Sequence, residues 1–442
     1  MRQRRFGGGH GLEHGHWLGL GLVLALVLAL ASTIAAAQPL PKAAPATVGF
    51  SAERLQRVDA VLQRVIADGD YAGASLAIAR HGRLVYQRAF GAADLDSGAP
   101  VRADTIFRIY SMTKPVTAVA LMMLYEEGKW QLDDPVSKYI PAFAGLKVHA
   151  GTNDDGTPRL EDPARPMTMR DLLRHTAGLT YGVFSDTPVD RLYQQVQPLQ
   201  APTLAAMIDR LAGLPLLYHP GAAWHYSVGV DVQGYIVEKL SGQSLPDFFR
   251  ERIFAPLGMN DTAFHVPTAK APRFATLYSR DDESKPLKPV PAGQFGTRDY
   301  AQVPGMPSGG AGLVSTLGDY LRFAQMLLNG GTLDGVRLLS PQTVALMRAD
   351  HLPEAVKSSP GWMLEPGMGF GLGFAVVTDP AQAGALYGRG TYFWGGAAGT
   401  WFWIDPAFDV VVVGMVQRLL SGPNMHRLTR AVIYQALVEP EK

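Results

Sequence analysis

Two β-rich blocks sit at opposite ends of the chain with a long helical stretch between them, and this layout restricts the fold more than any other feature. The first block, GASLAIARHGRLVYQRAFG from Gly73 to Gly91, is two β-rich runs flanking His81-Gly82, which is a hairpin signal. The second reads as three strands, Gly369–Asp379, Gly390–Pro406 and Asp409–Leu419, with a turn at Asp405-Pro406. Connections this short favour antiparallel pairing. Each block has a helix beside it. SAERLQRVDAVLQRVIADG is amphipathic, with Ser51 as its cap and Gly69 near its end, and a closing helix spans Met425 to Leu437. The expectation is an α+β fold. One antiparallel sheet of about five or more strands is built from both chain ends and flanked by the terminal helices, and a large, mostly helical insertion separates its halves.

Within the insertion, VTAVALMMLYEEG is apolar nearly all round until Glu126, so it is expected to be a buried central helix. GTNDDGTPRLEDPARP and DDESKPLKPVPAGQFG read as long polar loops of the kind that border binding sites. The boundaries that follow are a leader at 1–37, a Pro/Ala-rich linker at 38–50 and a single domain over 51–437. Its α/β part comes from 51–91 with 361–437, and its helical part from 92–360.

The leader has a basic start (MRQRR), an apolar run from Trp17 to Ala31, and Ala35-Ala36-Ala37 before Gln38. That is the layout of a secretory signal, so the mature chain is expected to be periplasmic or secreted. A retained anchor is the rival reading, because no acidic or basic residue occurs from Trp17 to Leu40, although the apolar run is short for a span. Stable membrane association is expected only if the segment is kept. Arg4-Arg5-Phe6 also begins a twin-arginine pattern whose remainder is missing.

Charge gives no argument for a nucleic-acid partner, since 40 basic residues face 39 acidic ones. The absence of cysteine excludes disulfides, thiolate metal sites and a cysteine nucleophile. The 11 histidines are scattered and include no His-Glu-x-x-His, so no metal is expected. Neither Gly-x-Ser-x-Gly nor a phosphate-binding glycine loop between a strand and a helix is present.

What remains is RIYSMTKPVTA, with Ser111 and Lys114 three residues apart. That spacing puts a hydroxyl and an amine on one helix face, in a first turn with free N–H groups and a positive dipole end. Burial lowers a lysine pKa and suits it to accept a proton. The alternative is Ser111 as a helix cap with Lys114 reaching solvent. Tyr226, in a turn-like segment before an apparent helix, is a candidate to relay the serine proton to a leaving alcohol. Trp394-Gly395-Gly396 lies inside a predicted strand, where paired glycines mark a close approach. Substrate beside an oxyanion-stabilising N–H and another protein segment both satisfy that requirement.

These stretches together resemble the serine β-lactamase/penicillin-binding-protein superfamily, in its class C-like branch and nearest to the family VIII carboxylesterases. The likeness runs from about residue 50 to 437, through FRIYSMTKPVTAVALMMLYEEGKWQLDDPVSKYIP, MTMRDLLRHTAGLTYG, WHYSVGVDVQGYIVEKLSG, IFAPLGMNDTAF, GGAGLVSTLGDYLRFAQMLLNGG and WGGAAGTWFWIDP. It implies an acylated nucleophile at Ser111, a base or proton relay at Lys114 and the catalytic tyrosine of the second motif at Tyr226. The implied oxyanion hole is the backbone N–H of Ser111 and of Ala397, and Trp394, Gly395 and Gly396 border the substrate. Two departures separate the chain from true β-lactamases. Tyr226-Ser227-Val228 replaces Tyr-x-Asn, and Trp394-Gly395-Gly396 replaces Lys-Thr-Gly. Losing that lysine removes a cation and adds apolar area, which favours a neutral ester over an anionic β-lactam or peptide terminus. The expectation is a serine esterase for short-chain carboxylic esters that needs no cofactor. A β-lactamase or D,D-peptidase is one rival, and a non-catalytic binding protein on the same fold is the other.

Overall fold

The computed structural model describes residues 39–154, 158–294, 297–419 and 422–439. The leader and its cleavage point at Gln38 lie outside the described residues. At the amino end are helix α1 (Ala52–Ala67) and strands β1 (Gly73–Arg80), β2 (Arg83–Asp94) and β3 (Ala99–Pro100). At the other end are β4 (Met368–Phe370), β5 (Ala375–Val377), β6 (Tyr392–Gly395), β7 (Trp401–Asp405), β8 (Val410–Met415) and the last helix of the chain (Met425–Tyr434). These eight strands form one sheet in the order β4-β5-β6-β7-β8-β1-β2-β3.

Pairing of β1 with β8, from Ser75 opposite Met415 to Arg80 opposite Val410, joins the two ends of the chain. Every residue of both strands is buried, as expected for strands covered on both faces. Side chains alternate along β7, so neighbours point to opposite faces. Trp403 stacks on Tyr434 of the last helix, whereas Phe402 meets Tyr320 of helix Leu317–Leu328. The sheet is therefore sandwiched between the terminal helices and the inserted half. Ser51 caps α1 by accepting from the Arg54 N–H at 3.2 Å. His81 and Gly82 both take positive φ, 53° and 68°, the geometry that a two-residue hairpin turn demands.

The carboxy-terminal block differs from its reading as three strands. The run at 369–379 bends at Gly373, which takes φ 106°, and yields β4 and β5. The run at 390–406 folds back after Gly395 and yields β6 and β7. The closing helix stops at Tyr434, because Leu437 instead bridges to Phe50.

The remaining helices used below are α2 (Thr113–Glu126) and α3 (Gly229–Ser241), which pack on each other. Helix α2 is buried from Thr113 through Leu124, in agreement with its apolar surface. Among the described residues no helix is long and apolar enough to cross a membrane.

Candidate active site

Ser111 occupies a single 3₁₀ turn, Tyr110–Met112, that leads directly into α2. The turn is tethered before and after. Ile109 N–H donates to Leu313 O at 3.1 Å, and Met112 N–H donates to Ile109 O at 2.9 Å. Between them Tyr110 is forced to φ 40°, a left-handed conformation that costs a non-glycine residue about 1–3 kcal/mol. The strained Tyr110 directly precedes Ser111, which is half-buried. The capping position of α2 is Met112, not Ser111.

Lys114 lies one turn along, is 1% exposed, and does not reach solvent. Its Nζ stands 3.3 Å from Ser111 Oγ, 2.9 Å from Tyr181 OH and 2.8 Å from Gly310 O. The same nitrogen sits 4.5 Å from the centre of the Tyr226 ring, within cation–π range. Tyr226 comes from the segment just before α3. Its hydroxyl accepts from Trp394 Nε1 at 3.1 Å. The indole in the third motif thus supplies a neutral hydrogen-bond donor as well as apolar surface.

Gly395 closes β6, and Gly396 begins the turn to β7. A Cβ at Gly396 would stand 2.4 Å from Ile109 O and 2.3 Å from Thr400 Oγ1. At Gly396, the close approach inferred from the paired glycines is therefore to the protein segment just ahead of Ser111. That contact places the exposed Ala397 on the turn beside the serine segment. Among the described residues, neither the Ala397 N–H nor the Ser111 N–H donates a hydrogen bond, which leaves both able to serve an oxyanion.

Three groups in this cluster were not singled out from sequence. Tyr181 bonds Lys114 directly, and burial, reinforced by Asp231 and Tyr226, holds its hydroxyl well above the usual phenol range. His175 packs its ring 4.8 Å from that of Tyr226. Burial, then Lys114 and His225, holds its imidazole well below the usual range, so it is neutral. Asp231, in the first turn of α3, has its carboxyl raised by burial, against the opposing pull of Lys114. Tyr181 and His175 both lie in MTMRDLLRHTAGLTYG, and Asp231 is a lone acid in the otherwise apolar SVGVDVQGYIV. Those were the available signals. Among the described residues no group of His, Cys, Asp or Glu is arranged to hold a metal ion.

A family model described as Beta-lactamase matches residues 58–437. Protein Rv1367c of Mycobacterium tuberculosis is 38% identical over 368 residues, 81% of this chain and 88% of that protein. Esterase EstB of Burkholderia gladioli is 34% identical over 398 residues, 85% of this chain and 94% of that protein. Among solved structures, EstCE1, described as a hydrolase with promiscuous acyltransferase activity, superposes with a TM-score of 0.72 at 31% identity. That likeness covers 87% of this chain and 99% of that one.

Proposed function

Because the chain belongs to the β-lactamase family and is a serine hydrolase of its esterase kind, we propose that it cleaves short-chain, neutral carboxylic esters through an acyl-enzyme on Ser111. One observation carries this reading. A buried lysine amine lies 3.3 Å from the hydroxyl of the half-buried Ser111, which follows the strained Tyr110, in a site whose third motif offers an indole instead of a cation.

The steps follow from the positions. Ser111 Oγ attacks the ester carbonyl carbon, and its proton passes into the Lys114–Tyr226 pair. The carbonyl oxygen becomes an oxyanion facing the N–H groups of Ser111 and Ala397. When the C–O bond breaks, Tyr226 returns the proton to the departing alcohol oxygen. Water then attacks the acyl-serine, and the same groups run in reverse. An anionic substrate is disfavoured because Trp394 replaces the lysine that would pair with its carboxylate. The basic-apolar-small leader supports export to the periplasm or beyond.

The test is a panel of nitrophenyl acetate, butyrate and octanoate beside a chromogenic cephalosporin, on wild type and Ser111→Ala. Short esters should be cleaved fastest and Ser111→Ala should be inactive. Cephalosporin turnover above ester turnover would reassign the protein as a β-lactamase. Absence of both activities, with no fluorophosphonate labelling, would make it a binding protein.

A further inference from the structure

Asp231 follows Tyr226 by five residues and is 0% exposed. Its Oδ1 accepts from the Ser308 hydroxyl and, at 3.1 Å, from the Gly310 N–H. Its Oδ2 has no hydrogen-bond partner among the described residues. A buried carboxylate with one oxygen unpaired is costly unless a cation balances it. The cation facing it is Lys114 on α2. The other titratable groups around the two are Tyr181, Tyr226 and the neutral His175.

A single residue links the carboxylate to the lysine. Gly310 donates its N–H to Asp231 and gives its carbonyl to Lys114 Nζ at 2.8 Å. The preceding carbonyl, Gly309 O, accepts from Thr117 Oγ1 at 2.7 Å, which straps the same loop to α2. Glycine is required here. A Cβ at Gly310 would stand 2.6 Å from Asp231 Oδ2 and 2.8 Å from Tyr181 OH. An ammonium offers three N–H donors. Those of Lys114 meet three oxygens, on Ser111, Tyr181 and Gly310.

We propose that Asp231 is a positioning residue of this site: through Gly310 it fixes where Lys114 stands beside Ser111. The inference rests on Ser111 being the nucleophile, and it does not depend on which substrate is cleaved.

Asp231→Ala removes the acceptor of the Gly310 N–H, whereas Asp231→Asn keeps the shape and an accepting oxygen for Ser308 and Gly310. The measurement is the rate at which a fluorophosphonate labels Ser111, together with the melting temperature. Asp231→Ala should be labelled about 10-fold more slowly than wild type, and Asp231→Asn should recover the rate to within about threefold. Ser308→Ala, which weakens the carboxylate's support without deleting it, should slow labelling by less than Asp231→Ala.

An Asp231→Ala protein labelled at the wild-type rate overturns the proposal, whatever its melting temperature. So does an Asp231→Asn protein as slow as Asp231→Ala, because the accepting oxygen would then not be what matters. If Asp231→Ala does not fold, Ser308→Ala decides on the same criterion. A wild type that is labelled but cleaves no ester refutes the substrate assignment and leaves the role of Asp231 standing. A wild type that is not labelled refutes both.

Discussion

The β6–β7 hairpin carries a buried polar cluster at each end, and the two make a useful pair. At the turn end, Gly396 presses on Ile109 and Trp394 bonds Tyr226. At the open end, Asp405 accepts from Gly388, Ala407 and Phe408 N–H groups at 2.8, 3.0 and 3.3 Å, and from Tyr434 OH at 2.5 Å. Beside it, Tyr387 OH meets His426 Nε2 at 2.5 Å. Both clusters shift their titratable groups strongly. Burial, then Arg430, brings the His426 imidazole down to about 3, while burial, then Asp405, drives Tyr434 far above the phenol range. By pKa alone either end qualifies as a functional site.

What separates the two ends is the hydrogen bonding of their carboxylates, since the open end also leaves Trp403 Nε1 without a partner among the described residues. Around Asp405 the carboxylate is satisfied by the protein's own backbone and one tyrosine. Around Lys114, Asp231 Oδ2 and His175 Nε2 lack partners among the described residues, and the lysine meets the hydroxyl of the half-buried Ser111. An unpaired carboxylate oxygen beside the proposed nucleophile marks the reactive end; a fully bonded carboxylate marks a structural one.

The largest expected effect tests that contrast directly. Tyr226→Phe removes the proposed relay hydroxyl and should lower kcat on nitrophenyl acetate by about 100-fold or more, with a smaller loss of stability because Trp394 Nε1 loses its acceptor. Asp405→Asn should do the opposite. It weakens the acceptor for three backbone N–H groups, so stability in urea should drop by about 2–4 kcal/mol while kcat stays within about twofold of wild type. An Asp405→Asn protein with normal stability and lost turnover would collapse the distinction.

A smaller effect sharpens the comparison from the reactive side, where structural support is also needed. Asp171 sits under the His175–Tyr181 loop and is held by Arg165, Arg174, Thr168 and Thr176. Burial alone would raise its carboxyl, but the bonds led by Arg165 outweigh it and bring it down to about 2. A depressed carboxyl stabilises the fold above its unfolded value near 4 and ceases to do so as pH falls through its folded value. Unfolding free energy should therefore lose about 2 kcal/mol between roughly pH 4 and pH 2. In Asp171→Asn that share of the acid loss should disappear, with the stability already lower at pH 7. A mutant and wild type with parallel pH dependence would remove Asp171 from this role.

The parts of this molecule legible in sequence were those set by local pattern. Alternating and continuous apolar runs located the sheet, His81-Gly82 located its first hairpin, and an apolar helix implied burial of Lys114. Ser111, Lys114 and Tyr226 converge in space. What was not legible depends on long-range contacts. Gly396 is a glycine because Ile109, nearly three hundred positions earlier, comes within touching distance. Tyr181 and Asp231 matter because two loops meet at α2, and nothing local to either residue states that. The third-motif strand was read through its glycines for the same reason: a turn that packs on a distant carbonyl looks, in one dimension, like a weak strand.

The mildest change is expected at Phe184, which is 51% exposed although its ring centre lies 5.5 Å from that of Tyr226 and 5.9 Å from that of Tyr181. Its loop is firmly held. Ser185 and Thr187 bond the Asp190 carboxylate, and Gln194 bonds Gly182 O. Such a frame keeps a large apolar ring at the surface beside the tyrosines, where a ligand can meet it. On the proposed role of Tyr226 in returning a proton to the leaving alcohol, Phe184 would border the alcohol half of the ester. Burying part of a ring against a bulky alcohol contributes about 1 kcal/mol. Phe184→Ala should then raise KM for benzyl acetate about fivefold, leave methyl acetate nearly unchanged, and leave kcat for both within about twofold. Equal losses on the two esters would mean that the ring supports Tyr226 itself, and Phe184 would then belong with the closed, structural contacts rather than with the open ones.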